Sequence, residues 1–364
     1  GTRHTIARVR NPEYADQIAF MRKEFGLSMA VNPEYDAARE IQRIIRFPAA
    51  LSIDTFAKGR VDLVEVKLDE GHPMCGRRLS ELSRVCSVNI LVCAVKRGDE
   101  VTIPSGDFIL RAGDVIHITA PHDDLAAFFR ELGIAEKRIR SVMLIGGGKI
   151  AYFLAKMLEE TDIDVKLIEL DRAHAERLAE MLPATSVIHG DGSDSELLDE
   201  EGIDNVDAIV SLTGFDEENI ITSLFAATRK VSKVITKINR LNIMKLLDSI
   251  GLECVVSPKS ITANSILRYL RGLENSQSSS IQTLYKIVDD KVEALEFIAA
   301  DGFEFVGVPI KNMHIRKNIL LACIIRGSRI IYPHGDDTIE AGDSVIVVAK
   351  SEEPVLELED IIAR

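Results

Sequence analysis

The sequence predicts an α/β chain in which a doubly wound parallel sheet alternates with small α+β modules, arranged as an internal duplication whose first parallel-sheet half is truncated. Three observations carry this reading. Residues 90–118 (ILVCAVKRGDEVTIPSGDFILRAGDVIHI) align without a gap with residues 319–347 (ILLACIIRGSRIIYPHGDDTIEAGDSVIV), at an offset of 229 (319 minus 90), and such self-similarity marks a repeat. Residues 141–257 alternate short apolar runs (VMLI, VKLIEL, TSVIH, DAIVSL, KVITKI) with helix-length segments, the pattern of a parallel sheet with helical crossovers. The only glycine-rich turn, LIGGGKIA from Leu144, lies in the second half, and its first-copy counterpart would fall before residue 1. The repeat period therefore predicts a natural product longer by roughly 90 residues, with Gly1 read as a scar or a wrong start.

In chain order, TIARV (5–9) reads as a short buried strand, and Asn11-Pro12 as the cap and first residue of a helix. MAV (29–31) makes a second strand. Asn32-Pro33 then opens a helix carrying Ala37, Ile41, Ile44 and Ile45 at helical spacing. The same order recurs at 234–271. Lacking four strands of its own sheet, the 5–9 segment is expected to present an exposed edge that seeks a partner.

Residues 59–133 and 290–361 alternate apolar and polar positions between turns at Pro104-Ser105-Gly106, Ala112-Gly113-Asp114, Pro333-His334-Gly335 and Ala341-Gly342-Asp343. Short strands of half-buried sheets account for this, and each copy is expected to end in a helix (DDLAAFFREL, EPVLELEDII). IAEKRIR (134–140) and the serine-rich ENSQSSS (274–280) read as boundaries.

A formal charge of −13 argues against nucleic acid, which binds through a positive field. The five cysteines (Cys75, Cys86, Cys93, Cys254, Cys323) are an odd number without C-x-x-C spacing. They read as reduced, buried thiols of a cytosolic chain rather than metal ligands. No apolar run approaches the roughly 20 residues of a membrane span, so no direct membrane insertion is expected.

Gly146, Gly148 and Ala151 match G-x-G-x-x-G/A between a strand and a helix, and Glu169 ends the next strand 18 residues beyond Ala151. That is the Rossmann arrangement: glycines let backbone amides approach a diphosphate at a helix N-terminus, and the acid accepts the ribose hydroxyls. Glu169 would repel a 2′-phosphate, favouring NAD(H), ATP or ADP over NADP. An empty domain that kept its turn only for helix packing is the structural alternative. Lys149 sits in the first helical turn, where a bound anion would offset its unfavourable place in the helix dipole. Arg172 reads as a solvated first-turn side chain. Asp191 and Gly192 end the third strand, either at the nucleotide's edge or as a turn into a capping box Ser193-x-x-Glu196. Thr213 and Gly214 end the fourth strand at the same rim, Asp216 reads as a helix cap, and His189 as a strand-end histidine.

The stretches LIGGGKIAYFLAKMLE, VKLIELDRAHAERLAE, VIHGDGSDSELLDEEGI, DAIVSLTGFDEENIITSLFA and AGDSVIVVA are similar to the RCK (KTN) family of regulators of potassium transport, over essentially the whole chain. The resemblance implies a C-terminal remnant of a first RCK-N domain at 1–55, a first RCK-C domain at 56–136, a second, nucleotide-binding RCK-N domain at 139–273 and a second RCK-C domain at 281–364. It implies diphosphate contacts from Gly146, Gly147, Gly148, Lys149 and Ile150, a ribose contact from Glu169, and nucleotide-edge contacts from Thr213 and Gly214. Where the family often has arginine in the fifth strand this chain has Lys237, with Arg8 at the equivalent place of the truncated copy. It further implies a homo-oligomeric ring, peripheral at the inner face of the cell membrane, that gates a Trk-type potassium-translocating subunit without being an enzyme. A regulator of another cation transporter is the alternative within the family. An NAD-dependent dehydrogenase is disfavoured because the small modules show no titratable cluster to face a nicotinamide: His314 and His334 sit at turns, and Ser105 replaces His334 in the first copy.

Overall fold

The computed structural model describes residues 4–9, 26–48, 50–56, 60–84, 87–88, 90–132, 138–243, 246–247, 250–252, 254–278, 281–288, 291–352 and 355–363. In chain order these form β1 (Ile6–Arg8), β2 (Met29–Val31), α1 (Pro33–Arg46), β3 (Ser52–Phe56), β4 (Val61–Lys67), β5 (Leu91–Arg97), β6 (Glu100–Thr102), β7 (Val115–Ala120) and α2 (His122–Glu131). The parallel-sheet region follows with β8 (Ser141–Ile145), α3 (Lys149–Leu158), β9 (Asp164–Glu169), α4 (Arg172–Met181), β10 (Thr185–His189), α5 (Ser195–Glu200), β11 (Ala208–Ser211), α6 (Asp216–Thr228), β12 (Lys233–Lys237), β13 (Val255–Val256) and α7 (Pro258–Ser278). The last module holds β14 (Ile281–Ile287), β15 (Val292–Ile298), β16 (Ile319–Arg326), β17 (Arg329–Ile331) and β18 (Ser344–Lys350). The helix expected after Asn11-Pro12 lies outside the described residues.

Two compact units result, one of Gly1–Leu51 with Lys137–Ile266 and one of Ser52–Glu136 with Leu267–Arg364. The first contains a six-stranded sheet, order β10-β9-β8-β11-β12-β13, with every pair parallel. The chain leaves β8 for β9 on one side and takes up β11 on the other. The crevice at the carboxyl ends of these strands is where doubly wound sheets bind ligands. Apolar residues fill both faces, with Val142 and Leu144 in one cluster and Met143 and Ile145 in the other.

The N-terminal segment joins this unit. Asn32 caps α1 by accepting the Tyr35 N–H at 3.1 Å, and Pro33 occupies the first turn. Ala37, Ile41, Ile44 and Ile45 are buried in one cluster with Leu154 and Leu158 of α3, and Tyr35 meets Phe153 edge-on at 5.4 Å. The expected buried strand at 5–9 is instead a three-residue strand that, among the described residues, pairs only with β2; Ile6 is 38% exposed, and Val9 beyond it is buried. Burial of this segment thus rests on α1, whose apolar stripe finds its partner on the parallel-sheet domain.

The second unit holds two five-stranded antiparallel sheets of identical order, β3-β4-β7-β5-β6 and β14-β15-β18-β16-β17. The register shifts at Val92/Ala94 in one and at Leu321/Cys323 in the other, so the bulge repeats at the same offset as the sequence. Val61, Leu63, Cys93 and Ala94 share one core with Val292, Ala294, Ala322 and Cys323. Arg60 donates to the Gly327 carbonyl while Lys291 donates to that of Asp99. The modules therefore meet through like surfaces, as the two halves of an isologous dimer do. Burial pushes the Cys93 thiol up to about 12 and the Cys323 thiol up as well.

Two sequence expectations are corrected here. Residues 274–278 of the expected linker continue helix α7, because Glu, Asn, Ser and Gln carry only modest helix penalties. The second module closes with a 3-10 turn at Leu358–Ile361 rather than a helix, fixed by reciprocal capping between Glu357 and Asp360.

Each module is tied by the same strut. Arg97 donates through Nε and Nη2 to the Asp114 carboxylate at 2.7 Å, and Arg326 donates to Asp343 at 3.0 and 2.8 Å. The second guanidinium nitrogen also reaches Ile109 O or Thr338 O, one repeat apart. Asp114 and Asp343 are 1% and 2% exposed and also accept the amides of Arg111 and Glu340, so they hold the Ala-Gly-Asp turns closed. Removing one partner of a buried pair costs about 3–5 kcal/mol, and the one-third exposure of Arg326 places this site at or below the lower end. Arg326→Met is expected to lower the urea midpoint of the second unit, followed by circular dichroism, by an amount equivalent to about 3 kcal/mol. An unchanged midpoint would show the strut to be dispensable.

Candidate nucleotide-binding site

The turn between β8 and α3 is shaped by three glycines with three different surroundings. Gly146 has φ +93°, and a Cβ there would lie 3.1 Å from the Thr213 backbone, so the turn is pressed against the end of β11. Gly147 is buried; a Cβ would come within 2.5 Å of Leu178 Cδ1 and 2.7 Å of Glu169 Oε2. At Gly148, the N-cap of α3, a Cβ would meet nothing within 4 Å. No side chain caps α3, so the first-turn amides, including those of Lys149 and Ile150, keep their hydrogens for an outside acceptor. The Lys149 side chain is exposed, whereas that of Ile150 is buried in the core; Ile150 therefore has only its backbone to offer.

Glu169 sits at the end of β9 beside this turn. Its Oε2 accepts the Gly147 N–H at 2.7 Å and its Oε1 the Asp171 N–H at 2.8 Å. Two amides thus fix the carboxylate, and each oxygen retains a lone pair for a hydroxyl donor. Arg172 turns away to pair with Glu176 on its own helix, as a solvated side chain does.

The remaining strand ends complete the rim. Asp191 is exposed, and its Oδ1 accepts both the amide and the hydroxyl of Ser193, which together hold its carboxyl below the usual range. A Cβ on Gly192 would fall 2.4 Å from Ile145 Cγ2, so this loop lies directly on the end of β8. The capping box Ser193-x-x-Glu196, one of the two alternatives for this segment, does not form: Asp194 is the N-cap of α5 and accepts the Glu196 N–H, while Ser193 is engaged by Asp191. A carboxylate on either side of Ser193 outcompetes its hydroxyl. His189 is an exposed strand end.

Thr213 donates its N–H to Asn219 Oδ1 at 2.8 Å, and its carbonyl accepts Lys237 Nζ at 2.7 Å. Asn219, fully buried, also donates to the Lys237 carbonyl at 3.0 Å, closing a network under the Thr213-Gly214 turn. Gly214 itself is exposed and open. Desolvation pulls the Lys237 ammonium below the ordinary lysine range, against the opposing charge of Asp216. Asp216 does not cap α6, whose N-cap is Phe215. Its carboxylate accepts the amides of Asn239 and Arg240 at 2.9 Å, and although burial works in the opposite direction, these bonds hold it below the usual range.

The eleven sequence candidates thus line the carboxyl ends of β8 to β12: the glycine turn touches Glu169 and Thr213, Gly192 rests on β8, and Lys237 holds Thr213 from beneath. Sequence reasoning missed His174, whose Nε2 lies 2.9 Å from the Gly147 carbonyl, and Asn219. The available signal was the i, i+4 pairing of His174 with Leu178, which places both on the face of α4 turned toward the glycine loop. Among the described residues no group of three or more His, Cys, Asp or Glu could hold a metal ion.

The fold is that of an RCK-type chain, with a Rossmann domain and small β-rich modules, and its relatives are of the same kind. Residues 142–258 match the TrkA-N domain and residues 63–133 and 295–363 the TrkA-C domain. The chain is 31% identical to the Trk system potassium uptake protein TrkA homolog 1 of Methanosarcina mazei over 94% of its own length and 75% of the relative's. It is likewise 31% identical to the Trk system potassium uptake protein TrkA of Haemophilus influenzae, over 98% and 78%. The GsuK RCK domain superposes with a TM-score of 0.56 at 18% identity, over 96% of this chain and 73% of that one; the GsuK channel bound to NAD gives 0.55 at 18%, over 96% and 60%. The chain belongs to the TrkA family of Trk-system potassium uptake proteins. Its curated relatives are named as potassium uptake proteins.

The surroundings of Gly146 and Gly214 make a steric prediction. Gly146→Ala, strained by its φ and by Thr213, is expected to lower the melting temperature by several degrees, as a cost of about 1–3 kcal/mol requires. Gly214→Ala meets no atom and is expected to melt with the wild type; equal melting of both variants by calorimetry would contradict the packing described.

Proposed function

We propose that this chain is the nucleotide-responsive regulatory subunit of a Trk-type potassium uptake system, binding NAD(H) or ATP/ADP at the β8–α3 turn. The observation that carries the reading is the carboxylate of Glu169, held 2.7 Å from the Gly147 amide beside a helix N-terminus with no cap and no side chain over Gly148. A diphosphate there would accept the amides of Gly148, Lys149 and Ile150 and meet the positive end of the α3 dipole. The ribose hydroxyls would donate to Glu169, which excludes a 2′-phosphate by charge. Asp191, Gly192, Thr213 and Gly214 would border the rest of the nucleotide. Lys237, only 8% exposed, serves by holding the Thr213 carbonyl rather than by reaching out to phosphate.

In this role occupancy is the signal. A ligand shifts an equilibrium between two assembly states only by its difference in affinity for them, and a tenfold preference supplies about 1.4 kcal/mol per site. Several sites coupled in a homo-oligomeric ring would sum to a usable bias on the gate. No helix among the described residues is long and apolar enough to cross a membrane; in this role the chain docks on the potassium-translocating subunit. The family names potassium uptake, and the like-folded GsuK channel has been solved bound to NAD.

Calorimetric titration of the purified chain with ADP, ATP, NAD and NADH tests the reading. Binding by the wild type, weakened tenfold or more by Glu169→Ala, is the expected result, since a hydrogen bond to a charged group contributes about 1.5–3 kcal/mol. Gly148→Ala should weaken binding without lowering the melting temperature, because the added methyl fills only the ligand's space. No heat with any of the four nucleotides would refute the proposal.

A further inference from the structure

The nucleotide site contains a side chain whose contacts are explained neither by folding of its own helix nor by the ligand groups considered above. His174 is half-buried in the first turns of α4, and its Nε2 lies 2.9 Å from the carbonyl oxygen of Gly147. Its Nδ1 lies 3.4 Å from Nη2 of Arg177. A guanidinium only donates and a carbonyl only accepts. The two neighbours therefore select one neutral tautomer, with the proton on Nε2 donated to Gly147 and Nδ1 receiving Arg177.

The peptide that this bond grips is the one that matters for a diphosphate. The Gly147 carbonyl and the Gly148 N–H belong to a single peptide plane, and no cis peptide occurs among the described residues. In a trans peptide the two groups point in opposite directions. With the carbonyl anchored on His174 of α4, the Gly148 N–H must face away from α4, at the residue where the backbone is open on its outer side. The preceding peptide is fixed by a different group, since the Gly147 N–H ends on Glu169. Glycine is otherwise the residue least able to hold a peptide plane in place, and Gly147-Gly148 are two in succession.

We infer that His174 is a positioning residue of the nucleotide site: by holding the Gly147 carbonyl it aims the Gly148 amide at the diphosphate of a bound nucleotide. The inference rests on the nucleotide-binding reading above, and its test separates the two. His174→Leu keeps a similar bulk on α4 and removes the donor, whereas His174→Gln restores an N–H at nearly the same reach. In calorimetry with ADP, His174→Leu should bind about fivefold to tenfold more weakly than the wild type, the range of one neutral hydrogen bond, and His174→Gln should recover to within about twofold. Both should melt as the wild type does. If His174→Leu fails to fold, His174→Asn, whose shorter amide cannot reach Gly147, takes its place. Unchanged ADP affinity in the variant without the donor would overturn the inference while leaving nucleotide binding intact. Equal loss in the Leu and Gln variants, accompanied by lower melting temperatures, would also overturn it and reduce His174 to a packing residue. A wild type that binds no ADP would overturn both readings.

Discussion

The bond from the Gly147 amide to the Glu169 carboxylate is the constraint around which the parallel-sheet unit is arranged. It joins the ends of two adjacent strands, β8 and β9, beside the β8–β11 pair at which the sheet changes winding direction. It requires that nothing larger than hydrogen stand at Gly147, since a methyl there would strike both Glu169 and Leu178. It also leaves the carboxylate short of partners on its outer side. A buried or half-buried acid usually gathers every donor it can; this one takes two amides and stops at the mouth of an uncapped helix. The same few atoms therefore set the turn, the spacing between α3 and α4 and the chemistry offered to a ligand.

The second unit follows a different logic. Its two modules repeat their strand order, their bulge and their arginine–aspartate strut, and they share one apolar core. A module of about 75 residues buries a limited core by itself; pairing two like modules through like surfaces extends it. The reciprocal contacts of Arg60 and Lys291 with the opposite hairpins show that the duplication was used as a dimer is used, with each copy serving as the other's partner. Helix α1 obeys the same economy of surface, burying its Ala and Ile stripe on the parallel-sheet domain.

Much of this was legible in the residues. The doubly wound parallel sheet follows from apolar runs separated by helix-length segments, the glycine turn and Glu169 from their spacing, and the duplicated module from an ungapped repeat in which Arg97, Asp114, Arg326 and Asp343 recur; that the two modules share a core was not visible there. What was not legible depends on partners distant in sequence or on local competition. Asp216 at a helix start looks the same whether it caps that helix or, as here, orders the Asn239-Arg240 turn more than twenty residues away. Ser193 lost its capping role to the carboxylates flanking it, a contest that a motif does not score. The polar residues at 274–278 read as a linker from composition alone, yet α7 runs through them. His174 carried no motif, and its importance arises only once α4 is laid against the glycine turn.

The most direct test of the central claim is a crystal structure of this chain grown with ADP. The account predicts a diphosphate within hydrogen-bonding distance of the Gly148, Lys149 and Ile150 amides and a ribose whose hydroxyls meet the Glu169 carboxylate. Clear density for ADP elsewhere, or a Glu169 carboxylate that remains bonded only to Gly147 and Asp171 with the mouth of α3 empty, would contradict it.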